Sequence, residues 1–530
     1  MAEAGRNRSP RPIGEFRSLA ADLVDLGVQH FLTVPGSPGS ELVDALRRAG
    51  AVVEDAHNEK TAAELAFGLS MAGVPVALVV KGNGALLAAE PLQNAGPHST
   101  LAPLLLVVAD DVDAVSSTVV TDARPLGPLL MLAVFDVGPG GLRRPTVAAA
   151  MRAATTARRP VILRFTATML RPACEVDAEP TADGSVEHTT GSGEASSDPF
   201  QLTKRSRFIN YAFTRSTELD AIASAAPRLT RLGSARHGII AAGATWDRFV
   251  TGLPSDRDVP ALGITSVHPV PGWIVEFCAD LDQVLVLEEG LPFVEDAVQL
   301  LLARSQVACR VIGQSSHHLP PLGPRDVADV LGALDGSTIQ PEAPQARRTE
   351  EGVEAHEYRT LFEALEKVRA GTSVEVHTCV GSSISAAYAP YSVATTALNL
   401  GGSTGVAAGF AIGTGRPSIA LIGDYGLVHS GLTAHQIIVQ RGLPVLTIVL
   451  ANGESTKTGG QPSAVARGIP GQQALDLLRL VTTATAPHEV RVVDIDDCDV
   501  DRLTCTLLEL LATTPATLLL VSGEHVAANG

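Results

Sequence analysis

Two strand-like segments in the last third of the chain end in residues that could bind a metal ion. The segment SIALIGD ends in Asp424, and the segment LTIVLAN ends in Asn452. In a doubly wound parallel sheet the carboxyl ends of neighbouring strands open on one crevice, so both side chains should face a common point. Their hard oxygens suit octahedral Mg²⁺, and the free amides of a helix that begins after Gly423 could meet a diphosphate. A Gly-Asp turn or a strand-terminal Asn taken alone is equally typical of an ordinary loop.

A second candidate is an acidic residue at the start of a helix in the first part of the chain. In AHNEKTAAELAFGLSMAG, Glu59 precedes a helical pattern that packs through Ala63 and Ala66. A glutamate in a first helical turn commonly does no more than complement the helix dipole. Because it occurs together with the metal-site pattern, on a separate α/β block, the two signals are more specific than either alone.

The elements that must position these residues are short apolar strands that alternate with helical patterns. This alternation predicts an α/β protein with doubly wound parallel sheets. The strand-like segments are HFLTVP, PVALVVKG, PLLLVVADD and PVILRF in the first block, GIIAAG, PALGITSV, QVLVLEEG and CRVIGQ in the second, and SVEVHT, SIALIGD, LTIVLAN, EVRVVDI and TLLLVSG in the last. Two polar stretches separate the blocks. The predicted organisation is a domain at 1–178, a linker at 179–200, a middle domain at 201–335, a linker at 336–355 and a last domain at 356–530.

Composition argues against several classes of partner and compartment. Lys and Arg number 40 and Asp and Glu number 57, a net charge of −17, which argues against nucleic acid or an anionic membrane surface as the main partner. No apolar run approaches the roughly 18 residues that cross a membrane, and the amino terminus has no apolar signal core. The six cysteines never form a CxxC pair, so we expect a reducing cytoplasm and no zinc or iron–sulfur cradle.

These motifs resemble those of the thiamine diphosphate (ThDP) enzymes. GDY followed by Asn452 resembles their diphosphate–magnesium motif, and NEKTAAELAFG resembles the helix that carries their glutamate. The closer resemblance is to the large subunit of indolepyruvate ferredoxin oxidoreductase. It extends through KGNGALLAAEPL, VVADD, SSTVVTDAR, VLVLEEGLPFVE, GGSTGVAAG, GDYGLVHSGL and LANGESTKTGGQP, in the same order and over nearly the whole chain.

The resemblance implies three domains of the ThDP-binding fold and two cofactors, ThDP and Mg²⁺. The domains would be a pyrimidine domain, a middle domain like the transketolase C-terminal domain, and a diphosphate domain. Glu59 would hydrogen-bond the aminopyrimidine N1′ and favour the imino tautomer that removes the thiazolium C2 proton. The Mg²⁺ ligands would be Asp424, Asn452 and the backbone carbonyl of Glu454. Since the glutamate and the diphosphate site meet across a subunit interface in the family, a homodimer is implied.

Further residues implied at the cofactor are Gly84, Thr378, Gly402, Thr404, Gly423 and Tyr425. Gly402 would accept from the 4′-amino group. Thr404 stands at the position of the aliphatic wedge that bends the cofactor, and it is smaller than the aliphatic residue expected there.

Several cations and histidines flank these motifs and could bind the carboxylate of a 2-oxo acid. The candidates are His57, Lys81, His98, His429 and Lys457. His429 and Lys457 are predicted as catalytic residues because each follows a metal-ligand strand by a few positions, although a structural role is the commoner outcome for any single histidine. Asn83 and Gly84 of the KGNG turn could approach the cofactor. Glu288 and Glu289, which end a strand of the middle block, are interpreted as structural or as an interdomain contact.

The sequence also departs from the family it resembles. Those oxidoreductases pass two electrons to iron–sulfur clusters in a C-terminal extension, and such clusters need Cys₄ runs that this sequence does not contain. Within the motifs, Gly82 stands where a histidine is usual, Tyr425 where a small residue is usual and Ala451 where an aspartate is usual. Gly82 is expected to make room for a second substrate.

These departures favour a non-oxidative reaction. We expect decarboxylation of an aromatic 2-oxo acid such as indole-3-pyruvate, followed by carboligation to an acyl or carbonyl acceptor that yields an acyloin. Similar cluster-free thiamine enzymes use an acyl thioester on a carrier protein in bacterial carbazole alkaloid pathways, so an acyl carrier protein is a possible partner. The open alternatives are an oxidoreductase subunit with its electron carriers on a partner, a simple decarboxylase, and a non-catalytic scaffold or regulatory subunit.

Overall fold

The computed structural model describes residues 13–112, 121–138, 140–166, 204–339, 357–456, 460–466 and 473–521. The chain divides into two compact units, Met1–Ala343 and Pro344–Gly530. The predicted linker at 179–200 lies outside the described residues. Of the predicted linker at 336–355, residues 336–339 are described, and the Ile339 N–H donates to the carbonyl of His317 (2.7 Å).

The first unit contains two sheets. Its strands are β1 (His30–Thr33), β2 (Val52–Asp55), β3 (Val76–Lys81), β4 (Leu104–Asp110), β5 (Val134–Asp136), β6 (Val161–Thr166), β7 (Arg228–Arg231), β8 (His237–Ala242), β9 (Ala261–Ile264), β10 (Ser266–His268), β11 (Gln283–Leu287) and β12 (Arg310–Ile312). One sheet has the order β10-β5-β6-β4-β3-β1-β2 and the other β12-β11-β8-β9-β7. Both are parallel except that β10 runs antiparallel to β5, and β7 antiparallel to β9.

Helices cover both faces of the first sheet. The helices of this unit are α1 (Ile13–Asp25), α2 (Gly39–Arg48), α3 (Glu59–Met71), α4 (Gly82–Ala95), α5 (Leu126–Leu130), α6 (Gly140–Ala157), α7 (Lys204–Ser224), α8 (Ile274–Cys278), α9 (Phe293–Arg304) and α10 (Val327–Leu334). The apolar sides of α1, α2 and α6 form one core with the inner side chains of the sheet. Helices α3 and α4 pack together against β3 and β4. The central strands β3, β4 and β6 are almost fully buried, mostly apolar runs, as expected of parallel strands covered on both faces.

The segment PALGITSV forms two strands that belong to different sheets, so its prediction as one strand is wrong. Strand β9 lies in the five-stranded sheet, and β10 adds an edge to the seven-stranded sheet. The change occurs at Thr265, whose carbonyl accepts from the Asp136 N–H (2.8 Å) and whose hydroxyl donates to the carbonyl of Pro227 (2.9 Å). A short, mostly apolar segment such as this one carries no local sign of which sheet each half will join.

A buried arginine ties together the carboxyl ends of three strands in the first unit. Arg164 on β6 is fully buried. Its guanidinium donates to Asp110 at the end of β4 (2.5 Å), to Asp136 on β5 (2.9 Å) and to the carbonyl of Glu289 (3.3 Å). Burial raises the pKa of Asp110 and of Asp136, and the charge of Arg164 opposes both shifts. The charge of Arg164 therefore favours the ionised form of both carboxyl groups.

A second buried arginine joins the first sheet to the five-stranded sheet. Arg124 donates to Glu288 (2.5 Å) and to Asp122 (2.5 Å), and all three side chains are almost fully buried. Glu288 also accepts from the backbone N–H groups at the start of α9, including that of Val294 (2.8 Å). The neighbouring Glu289 accepts from the Thr166 hydroxyl (2.8 Å). The interpretation of the paired glutamates as a structural contact is confirmed.

The second unit is built on a six-stranded parallel sheet and a small hairpin. Its strands are β13 (Glu375–Thr378), β14 (Thr396–Ala397), β15 (Ser418–Gly423), β16 (Val445–Ala451), β17 (Glu454–Ser455), β18 (Gln461–Pro462), β19 (Val490–Asp494) and β20 (Ala516–Val521), and its helices are α11 (Arg359–Gly371), α12 (Ser403–Thr414), α13 (Asp424–Gly426), α14 (Leu432–Gln440), α15 (Leu477–Thr485) and α16 (Val500–Ala512). The sheet order is β14-β13-β15-β16-β20-β19, and β17 pairs with β18. Helices α11 and α16 share one core with the sheet, and α12 and α14 contribute to another.

Together the sheets confirm the predicted α/β class with parallel sheets. Among the described helices, none has both the length and the apolar run that a membrane crossing requires.

A chain of buried polar groups connects α14, β16, α15 and β20. His435 is 3 % exposed. Its Nδ1 lies 3.1 Å from the Thr447 hydroxyl, and its Nε2 lies 3.0 Å from the Thr485 hydroxyl, which is 3.0 Å from the hydroxyl of Thr517. Burial lowers the pKa of His435 to about 4. The imidazole of the folded unit is therefore neutral at pH values well above 4.

This histidine should make the second unit sensitive to acid. The folded-state pKa lies below the ordinary histidine value, so the unfolded chain binds the proton more readily and stability falls as pH drops from about 6.5 towards 4. The full loss is about 3 kcal/mol. Urea unfolding at a series of pH values should show this slope, and His435→Gln should flatten it. The partly exposed His488 of the same unit provides the control variant His488→Gln, which should leave the slope unchanged. An equal flattening by both variants would contradict the assignment.

Candidate functional site

The site in the second unit begins where two neighbouring parallel strands end. Strands β15 and β16 are paired in register, with Gly423 opposite Leu450. Asp424 follows β15 directly, and Asn452 follows β16. The carboxylate of Asp424 accepts from the backbone N–H of Gly453 (2.8 Å), next to Asn452. The expectation that these two strand ends meet is thus confirmed.

Asp424 is a buried carboxyl group among neutral donors. It is 1 % exposed. Burial raises its pKa to about 7, and the N–H groups of Gly453, Tyr425 and Asn452 and the hydroxyl of Ser463 oppose this shift by donating to it. A cation beside such a group would favour its ionised form, because opposite charge offsets desolvation. The carboxylate and the amide oxygen of Asn452 are the hard ligands that Mg²⁺ prefers, so the donor set fits this ion.

A small pocket of about 40 Å³ opens at these strand ends. It is lined by the predicted residues Gly423, Asp424, Tyr425, Asn452 and Glu454 together with Tyr358, Val380, Gly381, Ser382, Leu400, Gly426, Leu450, Ser455 and Thr456. In the described part of the chain, no group of three or more His, Cys, Asp and Glu side chains is arranged to hold a metal. The ligand set implied for this pocket is smaller and consists of the Asp424 carboxylate, the Asn452 amide oxygen and the Glu454 backbone carbonyl.

The chain after Asp424 is helical but irregular. A π-helical turn, Leu427–Gly431, separates α13 from α14, and such turns occur frequently at functional sites. His429 lies in this turn and is 6 % exposed, with Nδ1 3.0 Å from the Ser430 hydroxyl and its ring 6.3 Å from that of Tyr425. The structure therefore places His429 near Asp424 but buried, and not in the wall of the pocket.

The loop after Asn452 depends on a glycine. Gly453 has a φ of +73°, a conformation that other residues adopt only with strain. The turn lets the Glu454 N–H reach back to the Asn452 Oδ1 (3.2 Å), and Glu454 then pairs with Pro462 in the hairpin. Lys457, predicted as catalytic, lies outside the described residues.

Three further predicted cofactor residues do not line the pocket. Thr378 is 1 % exposed, and its hydroxyl donates to the carbonyl of Cys379 (3.2 Å). Gly402 precedes α12. Thr404, the proposed wedge, is fully buried, and its hydroxyl donates to the carbonyl of Gly431 (3.0 Å).

In the first unit, Glu59 and Gly84 lie in contact. Glu59 is the first residue of α3 and is 7 % exposed. The helix begins there because the Asn58 side chain accepts from the Lys60 N–H (2.8 Å). A Cβ atom at position 84 would lie 2.4 Å from a Glu59 carboxylate oxygen. A glycine at this position thus lets α4 approach the carboxylate closely.

The expectation that Gly82 makes room for a second substrate is wrong. A Cβ atom at position 82 would lie 2.0 Å from a carboxylate oxygen of Asp110 and 2.3 Å from the hydroxyl oxygen of Thr121. The space beside Gly82 is therefore filled by the chain's own polar side chains. One of them, Asp110, is held in place by Arg164.

The other substrate-binding candidates occupy different environments. His57 is exposed. The Lys81 ammonium lies 3.2 Å from the Asp111 carboxylate, and both side chains are mostly buried. The His98 ring packs edge-on against Phe67 at 6.2 Å.

Sequence reasoning missed four residues at the pocket of the second unit. Ser463 donates to Asp424, Thr456 and Glu357 accept from the Asn452 amide, and Tyr358 forms part of the wall. Each of these is a common residue type that either is distant in sequence from its partner or lies in a loop without a periodic pattern. No local signal in the sequence therefore identifies it.

Two protein families match the chain. The thiamine pyrophosphate enzyme, N-terminal TPP binding domain, matches residues 16–117, and the thiamine pyrophosphate enzyme, C-terminal TPP binding domain, matches residues 372–504. Thiamine pyrophosphate (TPP) is another name for ThDP. The first match contains Glu59 and Gly84, and the second contains Asp424 and Asn452.

Curated relatives cover most of the chain. The indolepyruvate oxidoreductase subunit IorA of Methanothermobacter marburgensis is 24% identical over 502 residues, which span 87% of this chain and 78% of the relative. Subunit IorA of Pyrococcus abyssi is 25% identical over 513 residues, which span 88% of this chain and 78% of the relative. A 2-oxoglutarate:ferredoxin oxidoreductase from Magnetococcus marinus superposes with a TM-score of 0.41 at 16% identity, over 60% of this chain and 64% of that chain, a likeness too low to support an argument. From the two family matches and the resemblance to IorA, we conclude that the chain carries the N-terminal and C-terminal TPP-binding domains of the thiamine pyrophosphate enzymes.

Proposed function

We propose that this protein is a ThDP- and Mg²⁺-dependent enzyme that decarboxylates an aromatic 2-oxo acid and joins the remaining acyl group to a second carbonyl compound. The observation that carries the proposal is the buried Asp424 carboxyl beside Asn452 at the ends of β15 and β16. In the same chain, the buried Glu59 is the first residue of α3. ThDP supplies, when bound, the electron sink that decarboxylation of a 2-oxo acid needs.

Each residue in the proposal has a physical role. Asp424, the Asn452 amide oxygen and the Glu454 carbonyl would hold Mg²⁺, which neutralises the diphosphate in a strongly acidic protein. Glu59 would hold a proton at N1′ of the cofactor pyrimidine, and its burial strengthens that hydrogen bond because water is excluded. His429 and Lys457 stay candidates for the substrate side.

The reaction is balanced without an external oxidant. The bond between the carboxylate and the ketone carbon of the donor breaks and releases CO₂. The electron pair left on the ketone carbon forms a new bond to the carbonyl carbon of the acceptor, whose oxygen takes up one proton. With an aldehyde as acceptor the product is an acyloin.

The donor we propose is indole-3-pyruvate or a similar aromatic 2-oxo acid, which rests on the resemblance to indolepyruvate oxidoreductase subunits. The acceptor would be an aldehyde or an acyl thioester on an acyl carrier protein, and the working form a homodimer. With a thioester, the new bond would form at its carbonyl carbon, the bond to sulfur would break, the thiol would leave with the proton, and the product would be a 1,2-diketone. The six cysteines of this sequence include no CxxC pair, whereas iron–sulfur clusters need several cysteine ligands.

The names of the relatives favour a second candidate function. These relatives are oxidoreductase subunits, so this chain could pass electrons to carriers on a partner protein. Such an enzyme would turn over only with that partner or with an artificial electron acceptor.

One anaerobic experiment separates the two functions. Purified protein with ThDP, Mg²⁺ and indole-3-pyruvate should release CO₂ without any electron acceptor, and addition of an aldehyde or acyl thioester should yield a ligated product by mass spectrometry. CO₂ release that requires a viologen would support the oxidoreductase instead. CO₂ release with only the free aldehyde as product would indicate a simple decarboxylase, and no turnover under any condition would favour a non-catalytic role.

A further inference from the structure

The side-chain amide of Asn452 is held by hydrogen bonds on both sides. Its Oδ1 accepts from the backbone N–H of Glu454 (3.2 Å). Its Nδ2 donates to the Glu357 carboxylate (3.3 Å) and to the Thr456 hydroxyl oxygen (3.0 Å). The Thr456 hydroxyl in turn donates its proton to the Glu454 carboxylate (3.1 Å). Glu357 therefore reaches the proposed metal ligand from a position 95 residues earlier in the chain.

These partners permit only one orientation of the amide. A carboxylate such as that of Glu357 can only accept, and a backbone N–H such as that of Glu454 can only donate. Thr456 has given its proton to Glu454 and can only accept from Asn452. Rotation of the amide by 180° would place its oxygen against two acceptors and its NH₂ group against a donor. The amide oxygen is thus directed away from Glu357, and it retains a second lone pair beyond the one used by Glu454.

The backbone of Glu357 is fixed even though its side chain is exposed. The next residue, Tyr358, is fully buried, belongs to the core of the second unit and lines the same pocket as Asn452. The Tyr358 carbonyl accepts from the Phe362 N–H (3.1 Å) in the first turn of α11. The carboxylate therefore approaches Asn452 from an anchored position.

We propose that Glu357 is a positioning residue that fixes the Asn452 amide with its oxygen available to Mg²⁺. This inference rests on the proposed function for the identity of the metal and of its ligands. Glu357 acts as a hydrogen-bond acceptor for Asn452, and it does not itself bind the metal. Partners of metal ligands commonly change metal affinity by about 10- to 100-fold when they are removed.

Metal binding tests the proposal without recourse to turnover. Isothermal titration of Mg²⁺ into the full-length protein pre-mixed with ThDP gives the dissociation constant for the wild type and each variant. Glu357→Ala should bind Mg²⁺ about tenfold more weakly. Glu357→Gln should stay close to the wild type, because its side-chain oxygen can still accept from Asn452. Glu363→Ala, on the first turns of α11, is the matched surface control and should bind normally.

The outcomes distinguish the inference from the function on which it rests. Equal losses in Glu357→Ala and Glu357→Gln would show that charge matters and not the hydrogen bond, and would overturn the positioning role. Wild-type affinity in Glu357→Ala would also overturn it. A different result is expected if Asp424 is not a metal ligand at all. In that case the Asp424→Asn variant would bind Mg²⁺ with the same dissociation constant as the wild type. Thermal unfolding without metal should be the same in all Glu357 variants, which excludes a loss that comes only from misfolding.

Discussion

Glu59→Gln is expected to lower kcat by about 10²- to 10⁴-fold, the contribution typical of a residue in acid–base catalysis. The glutamine is isosteric and keeps the contact with Gly84, where a Cβ atom would lie 2.4 Å from the Glu59 carboxylate. It cannot hold an acidic proton, so the cofactor would lose the group that favours its reactive tautomer. Steady-state kinetics with a 2-oxo acid donor measures kcat, and titration of ThDP measures whether the cofactor still binds.

Glu64 provides the matched control for this change. It lies on the same helix, its side chain is 50% exposed, and it pairs with Lys60 on the surface. Glu64→Gln should leave kcat unchanged. If Glu59→Gln retained the wild-type kcat with ThDP bound, Glu59 would have no part in the chemistry, and its proposed role at the cofactor pyrimidine would be wrong.

Arg164→Met is expected to destabilise the first unit by about 3–5 kcal/mol, because it leaves buried carboxylates without their cation. Asp110 is fully buried and Asp136 is 2 % exposed, and both accept from Arg164. Since a folded domain is stable by only about 5–15 kcal/mol, this loss should reduce soluble yield and lower the midpoint of denaturant unfolding. Circular dichroism during guanidinium titration gives the change in the free energy of unfolding.

An exposed arginine in the same unit provides the control for this variant. Arg236 pairs with Asp282, and their side chains are 66% and 60% exposed. Arg236→Met should leave the free energy of unfolding almost unchanged, because solvent screens an exposed ion pair. Addition of Asp110→Asn to Arg164→Met should recover part of the stability, because it removes one uncompensated charge. A value for Arg164→Met as small as that for Arg236→Met would contradict the dependence of these carboxylates on the arginine.

Local sequence patterns predicted the parts of the site that depend on a single element. Asp424 and Asn452 could be placed together because each ends a strand-like segment, and parallel neighbouring strands bring their carboxyl ends to one edge. The helical pattern that follows Glu59 placed this residue at the start of a helix, and α3 does begin at Glu59. In both cases the residues that determine the geometry lie within a few positions of the site.

Contacts between distant elements could not be predicted in the same way. The space beside Gly82 is filled by Asp110 and Thr121, which the sequence places 28 and 39 positions away. The hydrogen bond from Asn452 to Glu357 joins a loop to a residue just before α11. Such contacts depend on strand order and helix packing, which no periodic pattern encodes. The same reason explains why the segment PALGITSV was predicted as one strand, although the chain passes from one sheet to the other at Thr265.

The strand β10 has a consequence for how this protein can be divided or recombined. It is contributed by residues that follow β9 of the five-stranded sheet, yet it completes the edge of the seven-stranded sheet beside β5. A fragment that ends after β6 would expose the edge of β5 and would leave Arg124 without Glu288. An exchange of the N-terminal TPP-binding domain with a relative should therefore transfer the whole first unit, Met1–Ala343. A boundary after the second sheet keeps β10 and Glu288 with their partners, and a boundary after the first sheet does not.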